Sequence, residues 1–236
     1  MGNQVVSHEA WLKARFELLA AEKEFTRQRD ALTRRRMAMP WERVAESYQF
    51  EGPKGALALA DLFDGRSQLI LYHFMFGPDW EEGCTSCSFW ADNFNGIAIH
   101  LNHRDVTLAA VSRAPLARIG AYKKRMGWSF PWVSSAGSDF NRDYSVSFTA
   151  EELQKPVFLN YEMRKLPSDA DEWPGISVFC KDETGAIFHT YSGYLRGIDM
   201  VNGAYQFLDL VPKGRDEDGF DFSMEWLRRH DEYDER

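Results

Sequence analysis

The chain has 236 residues, of which 44% are hydrophobic, and its 36 acidic and 28 basic residues give a net charge of -8. This charge provides no basic field for a polyanion, so nucleic acid is not an expected partner. No apolar run approaches the roughly 20 residues that a membrane-spanning helix needs. We therefore expect a soluble protein without a membrane span, large enough for one domain and an appended element.

The first residues predict no export signal. Residues 1–9 lack a basic start followed by an apolar core, and Val6 stands where a myristoylation signal has Ser or Thr. Three cysteines are too few for a disulfide framework. Cys180 lies in a strand-like run, where a thiol behaves as a small buried hydrophobe. These features predict a cytoplasmic protein.

A long helix is predicted over residues 7–38, within an N-terminal extension of residues 1–40. Ser7 is a suitable N-cap, and three arginines at positions 34–36 suit the carboxyl end of the helix dipole. The apolar residues recur every seven positions and form a narrow stripe: Trp11, Leu18, Phe25 and Leu32, joined by Ala14 and Ala21. This stripe fits either a homodimer seam or docking on the protein's own domain.

Residues 41–212 have the pattern of one α/β domain. Residues 44–50 are typical of an edge strand and residues 56–62 of a second strand, with a Gly- and Pro-containing turn between them. Residues 67–76 are apolar nearly throughout. Continuous apolarity of this length predicts a central strand that is covered on both faces of the sheet.

Helices and strands alternate after this central strand. A helical pattern begins at the cysteines of residues 84–87 and continues to about Asn102, and a second helix is predicted over residues 115–126. Residues 105–112 and 130–134 have strand character. A β-α-β-α-β order predicts parallel strands that are joined by right-handed crossovers.

The remaining chain is predicted to close the sheet and then to leave it. Residues 176–180 and 186–191 flank a turn with a glycine and form an antiparallel hairpin. Residues 140–156 are expected to be irregular and residues 194–200 to form a short helix. Residues 213–236 form an acidic C-terminal tail, with a short helix predicted over residues 224–229.

Two cysteines, Cys84 and Cys87, carry the chemistry that the sequence predicts. At the first turn of a helix a spacing of three places both on one face. Cys84 lies at the helix N-terminus, where unpaired N–H groups and the dipole favour an anion, so it is the expected thiolate. Cys87 is one turn deeper and can attack a mixed disulfide formed at Cys84. The pair predicts dithiol/disulfide chemistry, which needs no cofactor or metal.

A metal site and a purely structural cysteine pair are the alternatives for this motif. A zinc site needs four ligands, and the sequence has no second Cys-x-x-Cys. His100 and His103 share a helix face, but they lie roughly 20 Å beyond the cysteines and are expected to face solvent. His73 interrupts the apolar strand and is expected to be a hydrogen-bonded core residue, with tuning of the site or metal binding as the alternative.

Two groups of residues near the thiols in sequence have open roles. Trp80, Trp128, Phe130 and Trp132 are candidates for the walls of an apolar groove, although aromatic residues at such positions are more often core. The carboxylates of Asp79, Glu81 and Glu82 oppose a thiolate at Cys84 if they approach its sulfur.

The order of elements, with Cys-x-x-Cys at the start of the helix after the first central strand, resembles the thioredoxin fold. The N-terminal strand pair and residues 60–65 resemble the start of the alkyl hydroperoxide reductase and peroxiredoxin branch of that fold. Nearly the whole chain is similar to the family called "domain of unknown function 899". The landmarks of this resemblance are Glu51-Gly-Pro and residues 69–80, 83–88, 188–192 and 226–233.

This resemblance implies a thioredoxin-like α/β fold, with a central mixed sheet flanked by helices, and a dithiol/disulfide oxidoreductase. Thioredoxins have a cis-proline before the first strand of the final hairpin, and Pro174 is the matching candidate. Pro174, Thr85, Ser86 and Trp80 are then the expected substrate-positioning residues. The implied partner is a protein or small-molecule disulfide or thiol.

Two departures limit what the resemblance implies. Gly83 stands where thioredoxins have Trp, and residues 85–86 replace their Gly-Pro, so the reduction potential does not transfer. The peroxiredoxin pattern Pro-x-x-x-Thr-x-x-Cys is absent, so peroxide reduction is less expected than thiol exchange.

Two functional hypotheses of different classes follow. In the first, the protein is an oxidoreductase in which Cys84 attacks a disulfide and Cys87 resolves the product. In the second, it is a non-catalytic thioredoxin-like module for binding or assembly, and the long N-terminal helix makes the contacts. A thiol peroxidase and a metal-binding chaperone are further alternatives.

Overall fold

Helix α1 (His8–Met37) opens the computed structural model, which describes residues 2–233. The Ser7 hydroxyl accepts a hydrogen bond from the backbone N–H of Ala10 at 3.2 Å, and arginines fill the last turn, so both ends are stabilised as predicted. No residue of α1 is buried, and Trp11 and Leu18 of its apolar stripe are 53% and 56% exposed. Homodimer formation through this stripe stays a prediction.

The residues from Glu42 onward form a second unit, separate from the unit that ends at Trp41. Its described strands are β1 (Glu42–Arg43), β2 (Gln49–Gly52), β3 (Gly55–Ala58), β4 (Gln68–His73), β5 (Val106–Ser112), β6 (Trp132–Ser134), β7 (Val157–Leu159), β8 (Glu162–Arg164), β9 (Gly175–Lys181) and β10 (Ile187–Tyr194). Eight of them form one sheet in the order β1-β10-β9-β4-β5-β6-β2-β3, and β7 pairs with β8 separately.

The centre of this sheet is thioredoxin-like. Strands β4, β5 and β6 run parallel, and β9 and β10 form an antiparallel hairpin whose first strand pairs with β4. The N-terminal pair β2 and β3 joins the sheet next to β6. This confirms the predicted β-α-β-α-β order followed by a hairpin, with an added N-terminal strand pair.

Helices connect and flank these strands. In the described part of this unit they are α2 (Thr85–Ala91), α3 (Phe94–Asn102), α4 (Leu116–Arg125), α5 (Phe140–Asp143) and α6 (Gly203–Leu208), with 3₁₀ turns at Leu59–Phe63, Glu152–Gln154 and Leu195–Val201. Helices α2 and α3 connect β4 to β5, and α4 connects β5 to β6. None of the helices between residues 2 and 233 is both long and apolar enough to cross a membrane.

Strand β4 separates two hydrophobic clusters, because successive side chains of a strand point to opposite faces. Leu69 and Leu71 pack in a cluster with Phe140 and Phe179 on one face. Tyr72 belongs to the other cluster, which also contains Cys87, Trp90 and the rings of α4 and β6. Burial on both faces confirms the predicted central strand and explains its continuous apolarity.

The helix predicted to run from the cysteines to Asn102 is in fact two helices. The side-chain amide of Asn93 donates hydrogen bonds to the carbonyls of Phe89 and Trp90 at 3.0 and 3.1 Å. In a continuing helix these two carbonyls would accept hydrogen bonds from the backbone N–H groups of the next turn. Here the Asn93 side chain takes up their acceptor positions instead. The chain therefore starts a new helix, α3, at Phe94.

The predicted helix at residues 224–229 is wrong, because residues 224–226 form a turn and residues 227–229 have no regular secondary structure. Its side chains are tied to distant partners: Leu227 is buried, the Trp226 indole donates to Glu217 at 2.8 Å, and Arg229 binds the carbonyl of Gly83. Tertiary contacts thus override the local helical pattern.

Five other segments differ from the predictions in their bounds or type. The strand predicted at residues 44–50 begins at Gln49, and it is not an edge strand, because β2 pairs with β6 on one side and with β3 on the other. The second strand ends at Ala58, whose N–H is bound by the Asp61 carboxylate at 2.8 Å at the start of a 3₁₀ turn. The hairpin of β7 and β8 and the helices α5 and α6 were not predicted.

Leu71 provides a test of the core, because its side chain is fully buried at the centre of β4. Leu71→Ala should lower the free energy of unfolding by about 2–5 kcal/mol, since it removes buried methyl groups and leaves a cavity. Leu210 is 80% exposed, so Leu210→Ala should change stability by less than about 0.5 kcal/mol. Urea unfolding followed by tryptophan fluorescence measures both, and equal effects would contradict the assigned core.

Candidate active site

Cys84 lies where a loop becomes a helix. After β4 the chain loops through residues 77–83 and returns to the strand end, because the Cys84 N–H donates to the Met75 carbonyl at 3.1 Å. Cys84 is the N-cap of α2, and its carbonyl accepts hydrogen bonds from the Ser88 N–H and hydroxyl at 3.0 and 2.8 Å. The half-buried thiol therefore lies at the positive end of a helix.

The surroundings lower the pKa of Cys84 to about 7. The main cause is a hydrogen bond from the Cys87 thiol, and the backbone N–H groups of Cys87 and Ser86 with the Ser86 hydroxyl act in the same direction, against the effect of burial. At neutral pH about half of the Cys84 thiols are therefore ionised, whereas an ordinary thiol is almost wholly protonated.

Cys87 has the opposite environment. Its side chain is 1% exposed. Burial raises its pKa well above the usual range, and the neighbouring Cys84 adds to this shift, while the Tyr72 hydroxyl and the Met75 N–H act against it. The Met75 N–H donates to the Cys87 sulfur at 3.4 Å. Cys84 is thus partly ionised and partly exposed, whereas Cys87 is protonated and buried.

The packing of the loop before Cys84 explains why Gly83 stands where thioredoxins have Trp. A Cβ at Gly83 would lie 2.7 Å from the rings of Phe74 and Tyr122, so a side chain as large as Trp does not fit there. The Glu82 carboxylate forms ion pairs with Arg125 and Arg229, so its charge is directed to these arginines and away from Cys84. Asp79 and Glu81 are exposed to solvent, which screens their charge.

A cavity of about 440 Å³, called the thiol cavity below, opens beside both cysteines. Trp80, Ser86 and Pro174 line it, so three of the four predicted positioning residues lie next to the thiols. Thr85, the first residue of α2, is not one of the lining residues. Much of the remaining wall is apolar, with Tyr72, Met75, Trp90, Trp173, Leu195, Ile198 and Met224.

The predicted aromatic groove is only partly present. Trp80 lines the thiol cavity. Trp128, Phe130 and Trp132 are buried in the hydrophobic cluster behind α2 and α4 and do not line that cavity. Three of the four candidates are therefore core residues.

Pro174 has the expected place but not the expected isomer. It lies directly before β9, the first strand of the final hairpin, and it lines the thiol cavity. No peptide bond in the described chain is cis, so the bond before Pro174 is trans. The cis-proline implied by the resemblance to thioredoxins is therefore absent, although a proline still faces the thiols.

A buried ion pair holds the segment that precedes Pro174. Glu172 is 2% exposed, and its carboxylate binds Arg113 and accepts a hydrogen bond from the Ser147 hydroxyl at 3.0 Å. Arg113 also pairs with Asp171 at 3.2 Å. Burial raises the pKa of Glu172 to about 7, against the effect of Arg113. These contacts fix the segment of residues 171–174 as one wall of the thiol cavity.

A family model whose description is "Bacterial protein of unknown function (DUF899)" matches residues 1–233 of this sequence. The chain belongs to this DUF899 family. No curated protein matches the sequence.

Three solved structures illustrate what the DUF899 chain is similar to in fold. Peroxiredoxin Q of Xanthomonas campestris has 12% sequence identity and a TM-score of 0.47. The alignment covers 69% of this chain and 91% of the peroxiredoxin chain. BcpB, a peroxidoxin of Mycobacterium tuberculosis, shares 11% identity with a TM-score of 0.44, over 68% and 94% of the two chains. The mitochondrial 2-Cys peroxiredoxin of Plasmodium falciparum shares 12% identity with a TM-score of 0.42, over 72% and 94%. Similarity at this level does not transfer a reaction to the DUF899 protein.

The C-terminal segment of the DUF899 chain braces the loop that carries Cys84. The Arg229 guanidinium donates to the carbonyl of Gly83 at 3.0 Å and to the Tyr122 hydroxyl at 2.9 Å. The Tyr122 hydroxyl is also 2.8 Å from the Ser88 hydroxyl, which binds the Cys84 carbonyl. The tail therefore fixes the backbone on both sides of the thiol.

Sequence reasoning missed several of these residues. The resemblance to DUF899 marked residues 226–233 as a landmark, and this was the signal that could have identified Arg229. Glu172 and Arg113 gave no comparable signal, because their pairing joins chain segments that are 59 residues apart. Met224 and Ile198 lie in segments with no predicted contact to the thiols.

The histidines do not contribute to the thiol site. His100 and His103 are exposed, as predicted, and the described residues contain no group of three His, Cys, Asp or Glu side chains that could hold a metal ion. His73 is 1% exposed and hydrogen-bonds Ser177 at 2.8 Å, which confirms a hydrogen-bonded core histidine. Burial lowers its pKa to about 3, and the nearby His189 adds to this shift, so the ring is neutral at pH 7.

The pKa of Cys84 predicts how fast it reacts with an alkylating agent. In a Cys180→Ser background the rate with iodoacetamide should rise with pH and reach half its maximum at about pH 7, because the thiolate is the nucleophile. Cys87→Ala removes the main hydrogen bond to the Cys84 sulfur, so the midpoint should move upward, towards the ordinary thiol value of 9.0.

The control for this titration is Cys84→Ser, which should remove the reaction near neutral pH because Cys87 stays protonated. Mass spectrometry of the modified peptides identifies the reacting cysteine. A midpoint near the ordinary thiol value that does not depend on Cys87 would contradict the hydrogen bond.

Proposed function

We propose that this DUF899 protein is a thiol/disulfide oxidoreductase that uses the Cys84–Cys87 pair. The observation that carries the proposal is the difference between the two thiols: the pKa of Cys84, a partly exposed residue, is lowered to about 7, and that of the buried Cys87 is raised. Such a difference suits sequential chemistry, with one cysteine as the first nucleophile and the other as the resolving thiol.

In the first step the Cys84 thiolate attacks one sulfur of a substrate disulfide. A bond forms between Cys84 and that sulfur, the substrate disulfide breaks, and the other substrate sulfur leaves as a thiolate that takes up a proton. The N–H groups of Cys87 and Ser86, which stabilise the Cys84 anion, hold the attacking sulfur in place.

In the second step Cys87 loses its proton and attacks the Cys84 sulfur of the mixed disulfide. The bond to the substrate breaks, the second substrate thiolate leaves, and a Cys84–Cys87 disulfide remains. The substrate has gained two electrons and the protein has lost two. Attack by Cys87 needs loss of a proton that burial retains, so we expect this step to depend more steeply on pH than the first.

The thiol cavity favours a substrate with an apolar group beside its disulfide. Trp80 and Pro174 line the cavity together with other aromatic and aliphatic side chains, and Ser86 supplies a hydroxyl next to the attacking sulfur. Thr85 does not line the cavity and has no part in this proposal. A dithiol reductant then regenerates the protein, and a cytoplasmic location, where thiols are kept reduced, forms part of this proposal.

Cysteine variants test the reaction with a chromogenic aryl disulfide and dithiothreitol as the reductant. Cys84→Ser should reduce turnover to the uncatalysed rate, because it removes the nucleophile. Cys87→Ser should stop after one attack and accumulate a mixed disulfide at Cys84, which mass spectrometry detects as the added thiol mass. Cys180→Ser is the matched control and should leave turnover unchanged. Wild-type turnover in both Cys84→Ser and Cys87→Ser would refute the proposal.

Two alternatives are separated by the same proteins. A thiol peroxidase would oxidise Cys84 to a sulfenic acid with hydrogen peroxide and turn over peroxide faster than disulfide. A non-catalytic module would retain its partners in a Cys84→Ser, Cys87→Ser double variant and show no disulfide turnover in the wild-type protein. The oxidoreductase proposal requires disulfide turnover that depends on Cys84.

A further inference from the structure

A second cavity, of about 850 Å³, lies on the face of the sheet opposite to the thiols, and we call it the tyrosine cavity. Tyr48 and Tyr144, which line it, pack in the hydrophobic cluster of Leu71, whereas the thiol cavity contains residues of the other cluster. The two cavities share no lining residue. The volume is in the range of small-molecule sites, about 300–1,000 Å³, so this is a separate candidate site.

Aromatic rings form much of the wall of the tyrosine cavity. They are Tyr48, Tyr144, Phe158, Tyr161 and Tyr194. Neighbouring ring centroids are close: 6.2 Å between Tyr48 and Tyr144, 5.9 Å between Tyr161 and Tyr194, and 6.3 Å between Phe158 and Tyr161. The faces of such rings carry negative potential and attract a cation.

The charged residues of the same wall add to this negative potential. Four carboxylates line the cavity, from Glu42, Glu46, Asp139 and Asp143, against one guanidinium, that of Arg43. The Tyr48 hydroxyl donates to the Asp143 carboxylate at 2.8 Å, and burial together with this carboxylate raises the pKa of Tyr48. The Tyr48 phenol therefore stays neutral. Counting Asp, Glu and Arg, the residues that line the cavity carry three more negative than positive charges.

A chain of hydrogen bonds leads from the protein core to the floor of this cavity. The Nε2 of His73 is 2.8 Å from the Ser177 hydroxyl, which is 2.8 Å from the Ser192 hydroxyl, which in turn is 2.8 Å from the Nε2 of His189. His189 lines the cavity, and its Nδ1 is 3.5 Å from the Glu42 carboxylate. His73 and the pair His189 and Ser192 belong to two of the family landmarks, and the thiol chemistry uses neither.

The cost of burying an unpaired N–H group decides which atom is the donor in each of these hydrogen bonds. The Nδ1 of His73 is buried and has no hydrogen-bond partner within residues 2–233. An unpaired acceptor there costs less than an unpaired donor, so the proton lies on Nε2 and donates to Ser177. Ser177 then donates to Ser192, and Ser192 to the Nε2 of His189. The Nε2 of His189 therefore accepts this bond, and its Nδ1 faces the Glu42 carboxylate at 3.5 Å.

Tyr161 occupies a backbone conformation that a large side chain rarely adopts. Asn160 and Tyr161 form the two-residue turn between β7 and β8, with φ angles of 53° and 63°. Such turns favour Asn followed by Gly, so a tyrosine in the second place is unfavourable. It is nevertheless held over the cavity, since its hydroxyl donates to the Ser192 carbonyl at 3.3 Å and its ring packs edge-on against Tyr194. A strained aromatic residue that is 60% exposed at the mouth of a cavity points to a ligand.

We propose that the tyrosine cavity binds a small organic cation, such as a quaternary ammonium or a protonated amine, between its aromatic rings and carboxylates. A bare metal ion fits less well, because the described chain holds no group of three His, Cys, Asp or Glu side chains close enough to ligate one. An anion would be repelled by the excess of carboxylates in the wall, and a neutral apolar molecule would gain nothing from it. The proposal is independent of the thiol reaction, since the two cavities lie on opposite faces of the sheet.

The test measures binding of matched probes by titration calorimetry on the full-length protein. The cations are choline and spermidine, and the neutral probe is 3,3-dimethylbutan-1-ol, which has the shape of choline without its charge. We expect at least one cation to bind saturably, and choline, if it binds, to do so about tenfold or more tightly than its neutral analogue. Binding of neither cation, or equal binding of choline and the neutral analogue, would overturn the proposal.

Four variants locate the binding site. Tyr161→Gly suits the backbone conformation of the turn and removes one wall, so it should weaken cation binding by about five- to tenfold without unfolding the protein. Tyr161→Phe keeps the ring and should bind nearly as the wild type does. Glu42→Gln should weaken binding about fivefold, whereas Glu183→Gln, which removes an exposed charge outside the cavity, should not. Unchanged affinity in both Tyr161→Gly and Glu42→Gln would place any binding elsewhere and overturn the proposal.

Discussion

The hydrogen bond from the Cys87 thiol to the Cys84 sulfur is the interaction on which the proposed chemistry of this protein depends. It is the largest contribution to the lowered pKa of Cys84, and it exists only while Cys87 keeps its proton. Burial supplies that condition by raising the pKa of Cys87. The rest of the thiol site maintains this arrangement: Met75 binds both cysteines through its backbone, and Arg229 and Ser88 hold the chain on either side of Cys84.

The elements that could be predicted from the sequence are those whose signals are local. Helix α1 has a capping residue and a sustained apolar stripe, and β4 has continuous apolarity between two glycines, so both were identified close to their bounds. The errors arose where side chains compete with the backbone or bind distant partners. Asn93 interrupts a helical pattern by binding carbonyls of the preceding turn. The turn at Asn160 and Tyr161 has no glycine, so the hairpin of β7 and β8 gave no turn signal.

The thiol site was predictable to the extent that its chemistry lies in one short motif. Cys84 and Cys87 are three residues apart at a helix start, and general rules of helix geometry place them on one face. The walls of the cavity come from distant segments, and no spacing in the sequence brings Glu172 or Arg229 to them. The resemblance to thioredoxins placed Pro174 at the thiols, but the isomer of its peptide bond depends on the local fold and is trans.

Enclosure of Cys87 has a kinetic consequence for a redox cycle at this site. Both cysteines line the thiol cavity, but Cys87 is buried and Cys84 is partly exposed, so in the proposed reaction an oxidised pair presents mainly the Cys84 sulfur to an incoming thiol, and the disulfide substrate has to meet that same sulfur. The reducing thiol and the disulfide substrate must then react at Cys84 one after the other. If the proposed oxidoreductase reaction holds, this predicts ping-pong kinetics, in which an excess of either reactant occupies Cys84 and inhibits the other half of the cycle.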